Sequence, residues 1–177
     1  MFRCEVRPGV ELRILEERDA EEAFAAVDAN REHLRQWLPW VDAAPDPAPA
    51  REFIRKSLEQ FARNEGFSAG IRVHGAFAGS VGFLPINWLH RKSEIGYWLT
   101  KEHQGQGIMT DCARLVVRHA FEELKLHRVE IRCVAGNLRS AAVANRLGFQ
   151  KAGTLRHAYL LHGEFHDLHV FGQVKQS

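Results

Sequence analysis

The segment Gln104-Gly105-Gln106-Gly107-Ile108-Met109-Thr110 stands between a run of strand character, Ser93 to Leu99, and a long run of helical period, Gly105 to Leu126. Two glycines at a strand-to-helix turn let backbone N–H groups converge on an anion at the positive end of the helix. The turn therefore reads as a phosphate cradle. It is not a Walker loop, because no Lys-Ser/Thr pair follows, nor a dinucleotide fingerprint, because Thr110 stands where the third glycine would be. A bare Gly-x-Gly is equally compatible with a simple tight turn, so the flanking sequence carries the decision.

Downstream, the helix carries Ile108, Met109, Cys112, Leu115, Val116, Ala120, Phe121 and Leu124 around much of its circumference, which predicts cover on more than one side. Arg128 to Val134 alternates as a strand. Leu138 to Leu147 reads as a short helix capped by Asn137 and closed by Gly148, and Phe149 to Leu160 pairs with Glu164 to Gln173 around His162-Gly163. Upstream, Phe67 to Val73, Ala76 to Ile86 and Ser93 to Leu99 form an antiparallel meander, turning at Gly75 and at Asn87 to Lys92. Before them, Val10 to Ile14 alternates as a first strand. A helix then follows, capped by Asp19, with Ala23, Phe24 and Val27 on its buried stripe. Arg31 to Trp40 continues in helical period with Leu34, Trp37 and Leu38, until Pro39 stops or bends it. Pro45, Pro47 and Pro49 mark an ordered loop from Ala43 to Ala50, leading into an amphipathic helix with Ile54, Leu58 and Phe61 that ends at Gly66. This order predicts a mixed sheet with helices on both faces.

The 177 residues point to one domain over 1–177, and 45% hydrophobic with 26% charged residues excludes a disordered or low-complexity polymer. A net charge of +2 is too small to support nucleic-acid binding by charge. No stretch approaches the ~20 apolar residues of a membrane span. Met1-Phe2-Arg3-Cys4-Glu5 lacks the apolar core of a signal peptide, so a cytoplasmic protein that touches neither membrane nor nucleic acid is expected. Cys4, Cys112 and Cys133 are odd in number and far apart, which suits free thiols, and none is nominated as a nucleophile. His162, His166 and His169 lie near Glu164 and Asp167, but strand spacing scatters them across faces and no metal is expected.

Gln104 to Met109 resembles the pyrophosphate loop Gln/Arg-x-x-Gly-x-Gly/Ala of the GNAT superfamily of N-acetyltransferases, with Met109 at the sixth position where Gly or Ala is usual. Ser93-Glu94-Ile95-Gly96-Tyr97-Trp98-Leu99 before the loop, Asn137-Leu138-Arg139-Ser140 and Leu147-Gly148-Phe149 after it, and Leu34 to Trp40 near the start look like the RimJ/RimL branch. The likeness covers nearly the whole chain and is strongest to RimL-type ribosomal-protein-serine acetyltransferases. It implies the GNAT fold, α/β, with a central mixed, mostly antiparallel sheet of about seven strands flanked by helices on both faces. It also implies acetyl-CoA as acetyl donor, a protein N-terminus as acceptor, and a homodimer. The sheet would split after Tyr97 to Leu99, with Trp98, Leu99, the Gln104–Thr110 loop (Gln104, Gly105, Gln106, Gly107, Ile108, Met109, Thr110), Asn137 and Ser140 holding the donor.

Acetyl transfer to an amine needs a neutral nucleophile and a proton for the departing thiolate. Glu94 shares a strand face with Gly96 and Trp98, and the resemblance makes it the candidate base; read without the resemblance it fits better as a solvated charge beside Arg91 and Lys92. Many relatives carry a tyrosine further along the Asn137 helix, where Ala144 stands here, so the resemblance gives the acid's role to Ser140, with Asn137 beside it. Both also fit a plain helix start. Trp37, Trp40, Phe67, Trp88 and Glu94 are candidates for an acceptor groove, each aromatic being equally a core residue. An α-amine of pKa about 8 is about a tenth neutral at pH 7, against about one in 2,500 for a lysine, so a single glutamate is base enough for an N-terminus. The alternatives are an acetyltransferase for a small amine, such as a polyamine or antibiotic, and an acyl-CoA-binding module without turnover.

Overall fold

The computed structural model describes residues 3–175, so the first two residues of the N-terminal stretch read above for a signal peptide lie outside them. Eight strands make one open sheet: β1 (Arg3–Arg7), β2 (Val10–Ile14), β3 (Ser68–Val73), β4 (Ala76–Phe83), β5 (Lys92–Leu99), β6 (Arg128–Val134), β7 (Gln150–Leu161) and β8 (Glu164–Val174). Their order is β1-β2-β3-β4-β5-β6-β8-β7. Every neighbouring pair is antiparallel except β5 and β6. The helices are α1 (Ala20–Ala29), α2 (Arg31–Leu34), α3 (Ala48–Ala62), α4 (Ile108–Glu122) and α5 (Leu138–Arg146). None is long and apolar enough to cross a membrane among the described residues.

Strand alternation sorts the side chains into two layers. On one face Leu12, Ile71, Val81, Ile95, Val129 and Ile131 meet Ile108, Cys112 and Val116 of α4 in the main core. On the other, Phe77 joins Leu15, Ala20, Ala23 and Ile54 under α1 and α3, with Trp98 packed against them. Val27, Leu34 and Val41 form a third cluster that also rests on Trp98. Ile54, 1% exposed, contributes about 2 kcal/mol by its removal from water.

Four local readings change. The sheet has eight strands rather than about seven, because Arg3-Cys4-Glu5-Val6-Arg7 pairs with β2 across a tight turn at Gly9 (φ +77°). The helical run from Arg31 ends at Leu34, and Pro39–Val41 is a separate single turn. Asp19 does not cap α1 with its side chain. Its carboxylate instead accepts from the Glu16 backbone N–H at 2.9 Å, from Arg13 at 2.7 Å and from Arg72 at 2.9 Å, tying β2, β3 and the approach to α1 together. The ordered loop expected over Ala43–Ala50 ends earlier: α3 begins at Ala48 with Pro49 in its first turn, where a missing N–H costs no helical bond.

The parallel seam is short. Lys92, Ser93 and Glu94 face Arg128, Val129 and Glu130, and from there β5 continues its pairing with β4 alone. α4 makes the crossover between the two strands, so its N-terminus opens beside the point where they part.

Candidate active site

After Leu99 the chain makes one turn, Lys101–His103, and enters the glycine loop. The Gln104 amide folds back to donate to the Leu99 carbonyl at 3.3 Å and contacts the His33 ring, while Arg139 of α5 donates to its carbonyl oxygen. Gly105 (φ +74°) and Gly107 (φ +77°) are both left-handed, and Gly107 is the residue from which α4 starts. A Cβ at Gly105 would meet nothing within 4 Å, and one at Gly107 only the Arg7 guanidinium at 3.8 Å. The glycines thus serve the backbone bend and leave the space above the loop clear. The first N–H groups of α4, at Ile108, Met109 and Thr110, have no acceptor in their own helix.

These groups line a cavity of about 680 Å³ that also takes in Trp37, Tyr97, Trp98, Leu99, Asn137 and Ser140. Lys101, Arg139 and Arg146, with His33 and His103, stand around it, and among the described residues no carboxylate lines it, Glu94 included. Burial, reinforced by Arg139 and Lys101, pushes His33 below the ordinary imidazole value, keeping that ring neutral. Free helix N–H groups, three fixed cations and an uncrowded glycine turn fit the pyrophosphate of coenzyme A, and the parted strand edges fit its amide-bearing arm. Arg139 and Arg146, seven residues apart on one face of α5, carry no role in the sequence reading although helical period puts them together.

Of the expected donor-site residues, all but Gln106 line the cavity; the Gln106 side chain turns away to donate to the Glu102 carbonyl. Met109 is 8% exposed and belongs to the core as well as to the cavity wall. The acceptor-groove set divides. Trp37 lines the cavity, and Tyr159 of β7 donates to its carbonyl at 3.3 Å. Trp40 packs edge-on against Trp98, ring centroids 6.4 Å apart. Phe67 is corrected to a core residue: it is buried against Phe83 and His119 because the chain enters β3 with that side chain inward. Trp88 stays on the β4–β5 connection, outside the cavity, where its indole donates to the Asn64 carbonyl.

Glu94 occupies the last paired position of the seam, opposite Glu130. Burial raises its carboxyl above the ordinary value; Arg132, at 3.2 Å, opposes that and Glu130 adds to it. Ser140 sits in the first turn of α5, its N–H capped by the Asn137 side chain at 3.1 Å. Its hydroxyl lies 3.0 Å from the phenol of Tyr97, a residue to which the sequence reading gives no role. Ala144, one turn beyond Ser140, is fully buried, and the phenol that reaches α5 comes from the strand and meets its first turn. Burial pushes Tyr97 up to about 12, which keeps it protonated. Cys112, also pushed up to about 12 by burial, and Cys133, raised for the same reason, are poor nucleophiles.

The split sheet with a helix N-terminus at its opening is the architecture of an acyl-CoA-dependent transferase, and the sequence pattern of the acetyltransferase (GNAT) domain matches residues 10–150. The chain belongs to that family and is an acetyl-CoA-dependent N-acetyltransferase of the ribosomal-protein type. It is similar to the putative ribosomal N-acetyltransferase YdaF of Bacillus subtilis (strain 168), 35% identical over all of this chain and 97% of that protein. It is also similar to the ribosomal-protein-serine acetyltransferase of Escherichia coli (strain K12), 27% identical over 97% of this chain and 96% of the other. A solved RimL ribosomal alpha-N-protein acetyltransferase in complex with coenzyme A superposes with a TM-score of 0.94 at 26% identity, covering 98% of each chain.

Proposed function

We propose that residues 1–177 act as one catalytic unit that transfers acetyl from acetyl-CoA to the N-terminal α-amine of a ribosomal protein, with an N-terminal serine as the acceptor, as named for the similar ribosomal-protein-serine acetyltransferase of Escherichia coli (strain K12). The observation that carries this reading is the placement of Glu94 and the Tyr97–Ser140 hydroxyl pair on opposite faces of β5, beside the opening of the seam. Acetyl-CoA supplies an activated thioester carbonyl. Glu94 takes a proton from the incoming ammonium, directly or through water, and burial raises its affinity for protons in the direction that task needs. The neutral amine attacks the thioester carbonyl, the C–S bond breaks as the amide C–N bond forms, and the proton shed by the acylated nitrogen passes through the Ser140 hydroxyl to the departing thiolate, with Tyr97 aligning that hydroxyl. Trp37 and the Tyr159 that bonds to it wall the acceptor side.

The free thiols Cys4, Cys112 and Cys133 support a cytoplasmic location, where they stay reduced. A homodimer is supported by the outward apolar side chains Leu155, Leu160 and Phe165 of the β7–β8 hairpin. Light scattering on the purified protein distinguishes monomer from dimer.

The deciding experiment is mass spectrometry of a serine-starting peptide and of its Nα-blocked, lysine-containing counterpart after incubation with enzyme and acetyl-CoA. One acetyl group gained by the free-amine peptide alone is expected. Modification of the blocked peptide, or of neither, would reject the α-amine as acceptor.

A further inference from the structure

Glu94 and Glu130 face each other in register on adjacent strands and project to the same face, an arrangement that like charges oppose. What relieves it is Arg132, two residues on along β6 and on that same face. Its Nε lies 3.2 Å from one Glu94 oxygen, and its terminal nitrogen lies 2.9 Å from Glu130. Arg128 holds the second Glu130 oxygen at 2.8 Å. The β6 side chains thus form a ladder, Arg128 to Glu130 to Arg132, whose last rung is the Glu94 carboxylate. Glu130 has two arginines and is held charged below the ordinary carboxylate range, whereas Glu94 has only a share of one. The remaining elements add little charge here: Tyr159 of β7 is the other titratable group that senses Glu94, and the β8 residues opposite Glu130 and Arg132 are Gly172 and Val170. On the β4 side the Leu84 N–H donates to the Glu94 carbonyl.

We propose that Arg132 is a positioning residue for Glu94: shared between Glu94 and Glu130, its guanidinium aims the Glu94 carboxylate at the opening of the seam and decides how readily it accepts the proton of an ammonium. This rests on the reading of Glu94 as the base. Glu130, by competing for the same guanidinium, keeps Arg132 from neutralising Glu94 outright. The arrangement has a signature that a merely structural ion pair lacks, since the two neighbours of Glu94 act on it with opposite sign.

The test compares Arg132→Gln and Glu130→Gln by two readouts, the acid limb of kcat/KM against pH and the carboxyl carbon resonance of Glu94 in protein labelled at glutamate Cδ. Arg132→Gln is expected to move the Glu94 titration and the acid limb to higher pH. Glu130→Gln, which removes a like charge and frees Arg132, moves both to lower pH. Arg132→Lys restores charge without the fork and recovers the titration more fully than kcat. Titrations that stay fixed, or move the same way in both variants, overturn the proposal. Opposite movement of the resonance with a stationary acid limb upholds the control of Glu94 by Arg132 and rejects Glu94 as the base. Should Arg132→Gln not fold, the Glu130→Gln and Arg132→Lys titrations decide alone, and absence of the downward shift in Glu130→Gln overturns the proposal.

Discussion

The phenol of Tyr97, on β5, lies 3.0 Å from the hydroxyl of Ser140 on α5 and 3.2 Å from the Ser140 carbonyl, so one strand residue fixes both the side chain and the backbone of the helix start. Tyr97→Phe removes the phenolic hydroxyl and leaves the ring. The expected result is a fall in kcat of about three- to tenfold, the scale of one hydrogen bond, with KM for acetyl-CoA little changed. Ser140→Ala should cost about 100-fold in kcat if the hydroxyl is the proton donor. Steady-state kinetics of both variants and the double mutant check this, and a double mutant no slower than Ser140→Ala is expected because Tyr97 acts through Ser140.

Gly107→Ala places a side chain at φ +77° with only the Arg7 guanidinium, 3.8 Å away, near it. The strain is about 1 kcal/mol, a fall in Tm of about 2–4 °C for a chain of this size. Coenzyme A affinity should fall by more than that strain accounts for, because relief of the left-handed turn at Gly107 re-aims the first N–H groups of α4. Calorimetric titration beside a thermal melt separates the two effects.

The Asp19 carboxylate and the Arg72 guanidinium are both nearly inaccessible, 5% and 8% exposed. Asp19→Ala leaves Arg13 without its carboxylate and Arg72 with Glu22 as its remaining carboxylate beside the Gly75 carbonyl, so the loss should sit near 3 kcal/mol, the lower end for a broken buried pair. A urea titration should show a lower midpoint at unchanged slope.

Burial against the Phe67 ring lowers the pKa of His119 from 6.5. The unfolded chain therefore binds more protons than the folded one between the two values, and stability falls as pH drops below about 6.5. His119→Gln should make that decline shallower, with a residual slope of the same sign from His33. Denaturant midpoints across pH 5–8 measure it, the range being about that over which imidazoles titrate.

How much of this was legible depends on how local the determinant is. Arg128-Val129-Glu130-Ile131-Arg132-Cys133-Val134 alternates without a break, and β6 spans those residues as read. The pairing of Asn137 with the start of α5 and of Gly148 with its end was likewise written in residues a few positions apart. β1 escaped because an edge strand with three charges in five residues has only Cys4 and Val6 to signal an inner face. Strand parity placed Glu94, Gly96 and Trp98 together, but it could not rank aromatics: Phe67 went to the core and Trp37 to the cavity. Tyr97 with Ser140, and Glu94 with Arg132, became partners only through the register of strands and helices distant in sequence.

The three-residue seam between β5 and β6 has a consequence for how the molecule holds together. On one side of it lie five strands joined antiparallel, on the other three, and each group is knit mainly by connections between neighbours in sequence. Such groups assemble quickly from local contacts, while a parallel joint that waits for a long crossover forms late. Coenzyme A lying across the parted edges would act as a clasp between two separately built halves. Its binding should slow their separation, so that hydrogen exchange at Ile95 to Leu99 and at Ile131 to Val134 falls together when the donor is added.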